Sequence, residues 1–445
     1  MLIHVLLCFS VGALAAAPAV STARLSGGAD VALVERPGLP LVRVEVSMAT
    51  GELVETGRLD PAALAVLGDT WNVSARGVAP AAWRRNVAAR GGLLGAACDT
   101  ARCSFHLVAP AEEAPALVAA VGELVSNPTL PGPRRAQAAA AVRRAWATEW
   151  ASAATVHRRA VARLLWPAGH PNRLDRVSPP SVSARALRTA WRTVVGEAAA
   201  LVTVVGDAAL ARLLPDLEAA FGPLRGSAGR ATAPPALDAR RAVLVDTGPR
   251  DDAHVTLVWR SPAAGASDHA AWLVVADSLV GHFTSRLNLR LRERDALTYR
   301  VDGGSRETPE HGRTLVELEA PAARLRDVLR GLDAELDRVR REGPTASELT
   351  AARAHHAAGG EAEAYAELAD VLWQSWSQRG AAALGKPIHD VSLESARAAA
   401  ASWLATPRTL VVTGHADALE GALREAGWPV ARWSACDAAY GGRCP

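Results

Sequence analysis

The sequence predicts an α+β fold in which one sheet-and-helix unit occurs twice, as two α/β-sandwich domains with mostly antiparallel sheets packed by helices. Three observations point to it. Strand-like and helix-like segments follow in the same order in the two halves, and both halves close on similar stretches, TVVGDAALARLL (203–214) and LVVTGHADALEGAL (410–423). A chain of 445 residues is also longer than one core usually organises, so two units of about 200 residues are the natural division.

In the first half, the alternating runs VALVE and LVRVEVSMA, separated by the turn RPGLP, read as strands. Helices follow at PAALAVLGDTW and APAAWRRNVAARGG. LLGAAC and CSFHLV, joined by DTAR, read as a β-hairpin. Helical segments then run over EEAPALVAAVGELVSN, one long stretch from Gly132 to Trp166, and SARALRTAWRTVV. The strand ALVTVVGD and the helix AALARLLPDLEAAF complete the unit. Residues 226–240, rich in Gly, Ala, Pro and Arg and without apolar periodicity, are the expected linker. The second half repeats the plan: strands RAVLVDT and AHVTLVWR, helices DHAAWLVVADSLVG and TSRLNLRLRER, strands LTYRVDGG and RTLVELEAP. Helices over 325–343, 347–380 and 392–405, the strand RTLVVTGH and the helix ADALEGALREAG follow.

The expected boundaries are a leader over 1–22, a first domain over 23–225 and a second over 241–445. The apolar start with ALAAAPA resembles a secretory signal, although a basic n-region is missing. No later run is long and apolar enough to span a bilayer, so a periplasmic or otherwise exported protein is expected. Four cysteines remain in two close pairs, Cys98 with Cys103 and Cys436 with Cys444. Neither spacing is C-x-x-C and no histidine accompanies them, which favours local disulfides over zinc. The net charge of +3, with arginines interleaved among Asp and Glu, argues against a nucleic-acid surface.

Taken together, SMATGELVETGRLDPAALAVL, ARGGLLGAACDTARCSFHLV, WPAGHPNRL and VTVVGD, then VADSLVGHFTSRLNLRLRERDALTYRV and RTLVVTGH, make the mature chain resemble the pitrilysin/insulinase-type metallopeptidases. The likeness is greatest to small bacterial members related to mitochondrial processing peptidase and the complex III core subunits. Active members bind zinc on an H-x-x-E-H helix, where two histidines one turn apart grip the ion and the glutamate activates water. The matching positions are Ala63, Val66 and Leu67, and residues 50–80 contain no histidine, so the motif is lost. The resemblance matches Glu149 to the downstream glutamate ligand, but one carboxylate cannot hold zinc, and a solvated helix glutamate is the favoured reading. The cluster His355, His356, Glu361, Glu363 reads as a polar helix face, and His106, His170 and His269 are scattered.

LRERDALTY (291–299) fits the family's L-R-x-x-x-x-L-x-Y segment without a gap, at Arg292 and Tyr299. The resemblance implies that Arg292 holds the substrate backbone and that Tyr299 polarises the scissile carbonyl. Local pattern by itself also fits a wetted helix end for Arg292 and a sheet-packing Tyr299, in alternation with Leu297 and Val301. Some bacterial members of the family work as heterodimers with zinc on one subunit and the Arg/Tyr pair on the other, so the resemblance implies a non-zinc subunit of a heterodimeric zinc peptidase, with zinc only in a paralogous partner and an extended peptide as substrate. A scaffolding protein and a peptide-binding module with an inactive peptidase fold are the alternatives.

Overall fold

A computed structural model describes residues 20–38, 40–150, 152–168, 170, 173, 182–226, 236–263, 266–307, 311–357, 369, 372–373, 376 and 388–440; the side chains of 55, 146–150, 307, 356–357, 389 and 439–440 are outside the description. It contains two six-stranded mixed sheets. The first comprises β1 (Val20–Arg24), β2 (Asp30–Glu35), β3 (Leu41–Ala49), β4 (Leu93–Cys98), β5 (Arg102–Pro110) and β6 (Ala200–Gly206), in the order β1-β2-β6-β3-β5-β4. The second comprises β7 (Arg241–Asp246), β8 (Asp252–Ser261), β9 (Val301–Glu307), β10 (Gly312–Pro321), β11 (Arg408–Gly414) and β12 (Val430–Ser434), in the order β12-β7-β11-β8-β10-β9. Strand for strand the orders correspond, as the repeated sequence plan predicts. Only the outermost strand differs in origin: β1 precedes its sheet in the chain and β12 follows it.

Period-two alternation sorts each strand's residues onto two faces. On β8, Ala253, Val255, Leu257 and Trp259 enter a core with the helices His269–Ala276 and Leu325–Glu342, while His254 and Thr256 face the other way. That second face is covered by the other half. The helix Ala153–Leu165 lays Ala160 against Val243, Val245 and Val411 of the second sheet. In return, Leu372, Trp373 and Trp376 pack on Ala32, Val34, Leu201 and Val205 of the first. The Trp376 indole N–H donates to Asp30 Oδ2 at 2.7 Å, which seals the exchange with a buried polar contact.

Four details differ from the expected elements. The stretch 132–166 forms two helices, Gly132–Trp150 and Ala153–Leu165, because Ser152 is extended and its hydroxyl caps the Thr155 N–H. Residues 277–281 and 288–294 are wound as π-helix. The strand expected from Leu297 begins at Val301. β1 and β12 carry too few apolar residues to be recognised as strands, and β1 includes residues 20–22, expected to belong to the leader.

Candidate functional site

Arg292 lies in the π-helix Asn288–Arg294. The helix ends on Asp295, which accepts from Arg290 Nε at 2.6 Å and from Arg294 Nε at 3.0 Å. The Arg294 hydrogen bond, helped by Arg290, holds the Asp295 carboxyl below the usual range. Ala296 then turns the chain with φ 47°, and the Leu297 N–H returns to the Leu291 carbonyl at 2.8 Å. Leu297 and Val301 are buried on either side of Tyr299, whose side chain is 97% exposed. The alternative of a sheet-packing Tyr299 does not hold, because residue 299 still belongs to the loop, where strand alternation does not apply.

Tyr299 stands at the rim of a cleft of about 390 Å³ on the inward face of the second sheet. Its lining includes His157, His254, Thr256, Glu317 and Glu319, and Arg292 lies outside that lining. His157 comes from the first half: its Nδ1 is 2.8 Å from Thr413 Oγ1 and its Nε2 2.7 Å from Thr256 Oγ1. Burial, reinforced by the nearby His254, pushes its pKa down to about 3, so the ring is neutral. His254 Nδ1 lies 2.9 Å from Glu319 Oε1. Arg292 is half-buried, with its guanidinium 5.1 Å from the Phe283 ring centroid and its Nε 3.4 Å from Glu293 Oε1.

Ala63, Val66 and Leu67 lie on the helix Pro61–Trp71 and are packed in the first core at 3%, 0% and 0% exposure. None offers a donor to a metal, and among the described residues no three His, Cys, Asp or Glu side chains gather as a metal site. The side chain of Glu149 is outside the described residues, as are those of His356, Glu361 and Glu363. His355 is bonded through Nδ1 to Asp277 Oδ1 at 2.9 Å. Cys98 and Cys103 are disulfide-bonded directly across the β4–β5 hairpin. Cys436 is disulfide-bonded as well, and Cys444 lies outside the described residues. No described helix is long and apolar enough to cross a membrane.

Sequence reasoning singled out Arg292 and Tyr299 but not His157 or Phe283. The threonines that hold His157 lie 99 and 256 residues away, so no local pattern could have marked it.

Residues 181–355 match the family described as the peptidase M16 inactive domain. No curated protein matches the chain. Among solved structures, the chain is similar to a peptidase M16 inactive domain from Pseudomonas fluorescens, with 19% identity and a TM-score of 0.73 over 89% of this chain and 98% of that one. A protease from Helicobacter pylori gives 15% identity and a TM-score of 0.71, over 89% and 99%. The periplasmic protease PqqL from Escherichia coli gives 14% and 0.70 over 90% of this chain, which spans only 46% of PqqL. The ferredoxin protease FusC, solved with Arabidopsis ferredoxin, gives 17% and 0.68 and is covered to 45%. The match to the M16 inactive domain thus covers residues 181–355, and the fold is shared with these M16 and protease structures, while alanine, valine and leucine stand at 63, 66 and 67, where the resemblance puts the zinc motif.

Proposed function

We propose that this chain is the non-zinc subunit of an exported, periplasmic heterodimeric zinc peptidase, supplying Arg292 and Tyr299 to a paralogous subunit that carries the metal. The observation that carries the reading is Tyr299, 97% exposed at the rim of a cleft and, among the described residues, without a hydrogen bond of its own. A phenol so placed is suited to meet a carbonyl presented from outside the chain, where its hydroxyl stabilises a developing oxyanion. The guanidinium of Arg292, seven residues earlier in the chain, suits a peptide carbonyl. The substrate is an extended peptide that adds to a sheet edge, the mode in which main-chain hydrogen bonds give affinity.

The lengths of the similar proteases support a two-part enzyme. PqqL and FusC each hold a region like this chain in under half their length, which leaves room for a second such unit in the same polypeptide. Here that unit is a separate subunit. Export is supported by the leader-like start and the disulfide at Cys98 and Cys103, a bond that persists in oxidising compartments.

The test measures peptide hydrolysis by this chain, by a zinc-motif paralogue from the same organism, and by the two mixed. Activity is expected only in the mixture, falling about 100-fold or more with Tyr299→Phe or Arg292→Ala, the scale of losing one oxyanion donor. A paralogue fully active alone, or mutant mixtures equal to wild type, would make this chain a scaffold or a peptide-binding module instead.

A further inference from the structure

We propose that Phe283 and Thr298 are positioning residues that set Arg292 and Tyr299 in place within the free chain, before any partner or peptide arrives. The inference rests on the subunit reading above.

Phe283 is an aromatic ring left 67% exposed, between the π-helical segments 277–281 and 288–294. Core packing does not account for it. Among the described residues its one ring contact is the Arg292 guanidinium, at 5.1 Å from the ring centroid. The Glu293 carboxylate lies 3.4 Å from Nε. Among the described residues the η nitrogens of Arg292 have no hydrogen-bond partner. An arginine at a helix end ordinarily samples many rotamers, and fixing it at the moment of binding costs affinity. A ring under the guanidinium restricts that sampling while the fork's other donors stay available.

Thr298 acts on the backbone beside Tyr299. Its hydroxyl lies 2.6 Å from the Glu319 carbonyl on β10 and 3.0 Å from the Arg300 carbonyl, and it accepts from the Arg300 N–H at 3.3 Å. Its single proton serves one carbonyl at a time, and either bond ties the loop. Leu297 and Val301, both buried, anchor the same loop from its two ends. The exposed phenol thus projects from a backbone fixed on each side.

The experiment uses the mixed enzyme and the intact chain. Phe283→Ala should lower kcat/KM about 2- to 5-fold, mainly through KM, the size expected of an exposed cation–π contact. Phe283→Trp should retain activity, whereas Phe283→Leu should resemble alanine. In an Arg292→Ala background, Phe283→Ala should cost nothing more. Thr298→Val should lower kcat, and Thr298→Ser should restore it. In the chain alone, the NMR signal of the Arg292 Nε–H should be displaced by the ring and should move in Phe283→Ala.

Phe283→Leu as active as Phe283→Trp, or an undiminished Phe283→Ala loss without Arg292, would overturn the role given to Phe283. Thr298→Val at wild-type kcat would do the same for Thr298. An unmoved Arg292 signal would remove the contact itself. These outcomes are separate from failure of the subunit reading, which shows as Arg292→Ala and Tyr299→Phe leaving the mixture unchanged. Thermal unfolding of each variant checks folding, which the exposure of Phe283 should leave intact.

Discussion

Acid should loosen the joint between the two halves through His157. The side chain is 7% exposed and both ring nitrogens are taken by threonine hydroxyls, so the fold holds it neutral, with a pKa of about 3. In the unfolded chain a histidine titrates near 6.5. The folded pKa is depressed, so the unfolded state binds the proton first. The stability this gives is whole above pH 6.5 and is lost as pH falls from 6.5 towards about 3. The slope approaches about 1.4 kcal/mol per pH unit, and between pH 7 and pH 5 the loss comes to about 2 kcal/mol. The assay is urea unfolding of wild type and His157→Gln at both pH values. Glutamine keeps a hydrogen-bonding amide without titrating, and every other titrating group is common to the two proteins. The variant should lose about 2 kcal/mol less than wild type over this interval. Equal losses would refute the assignment of acid sensitivity to His157.

Two further outcomes follow from packing. Rebuilding the zinc motif as Ala63→His, Val66→Glu and Leu67→His forces large polar groups into a packed core and should cost more than about 3 kcal/mol in urea unfolding, without creating hydrolysis. A triple variant as stable as wild type would mean the helix has room that its burial denies. Trp376→Phe deprives Asp30 Oδ2 of its indole donor and should cost about 1–3 kcal/mol, while Trp376→Leu should cost more through lost packing.

Much of the fold was legible because its strands and helices announce themselves by period. LVRVEVSMA and RTLVELEAP alternate as half-buried strands do, and both lie where expected as β3 and β10. The edge strands VSTAR and VARWS escaped notice because each pairs along one edge only and has little apolar content. Ser152 did carry a signal, a capping residue ahead of AATV, but the run of alanines around it masked the break. The π-helical windings left no trace in composition. At the site, the positions of Arg292 and Tyr299 came from a motif rather than from periodicity, and periodicity misplaced the tyrosine side chain. His157 was invisible because its partners are supplied by folding alone.

Because each half packs side chains on the other's sheet, the peptide link between them should be dispensable to their association. A cut between residues 226 and 240 would leave two fragments, each holding a piece that completes its neighbour's interior. Neither could depart without baring Trp373 and Trp376 on one side and the seat of His157 on the other. The molecule is thus a dimer in its packing and a monomer in its covalent chain.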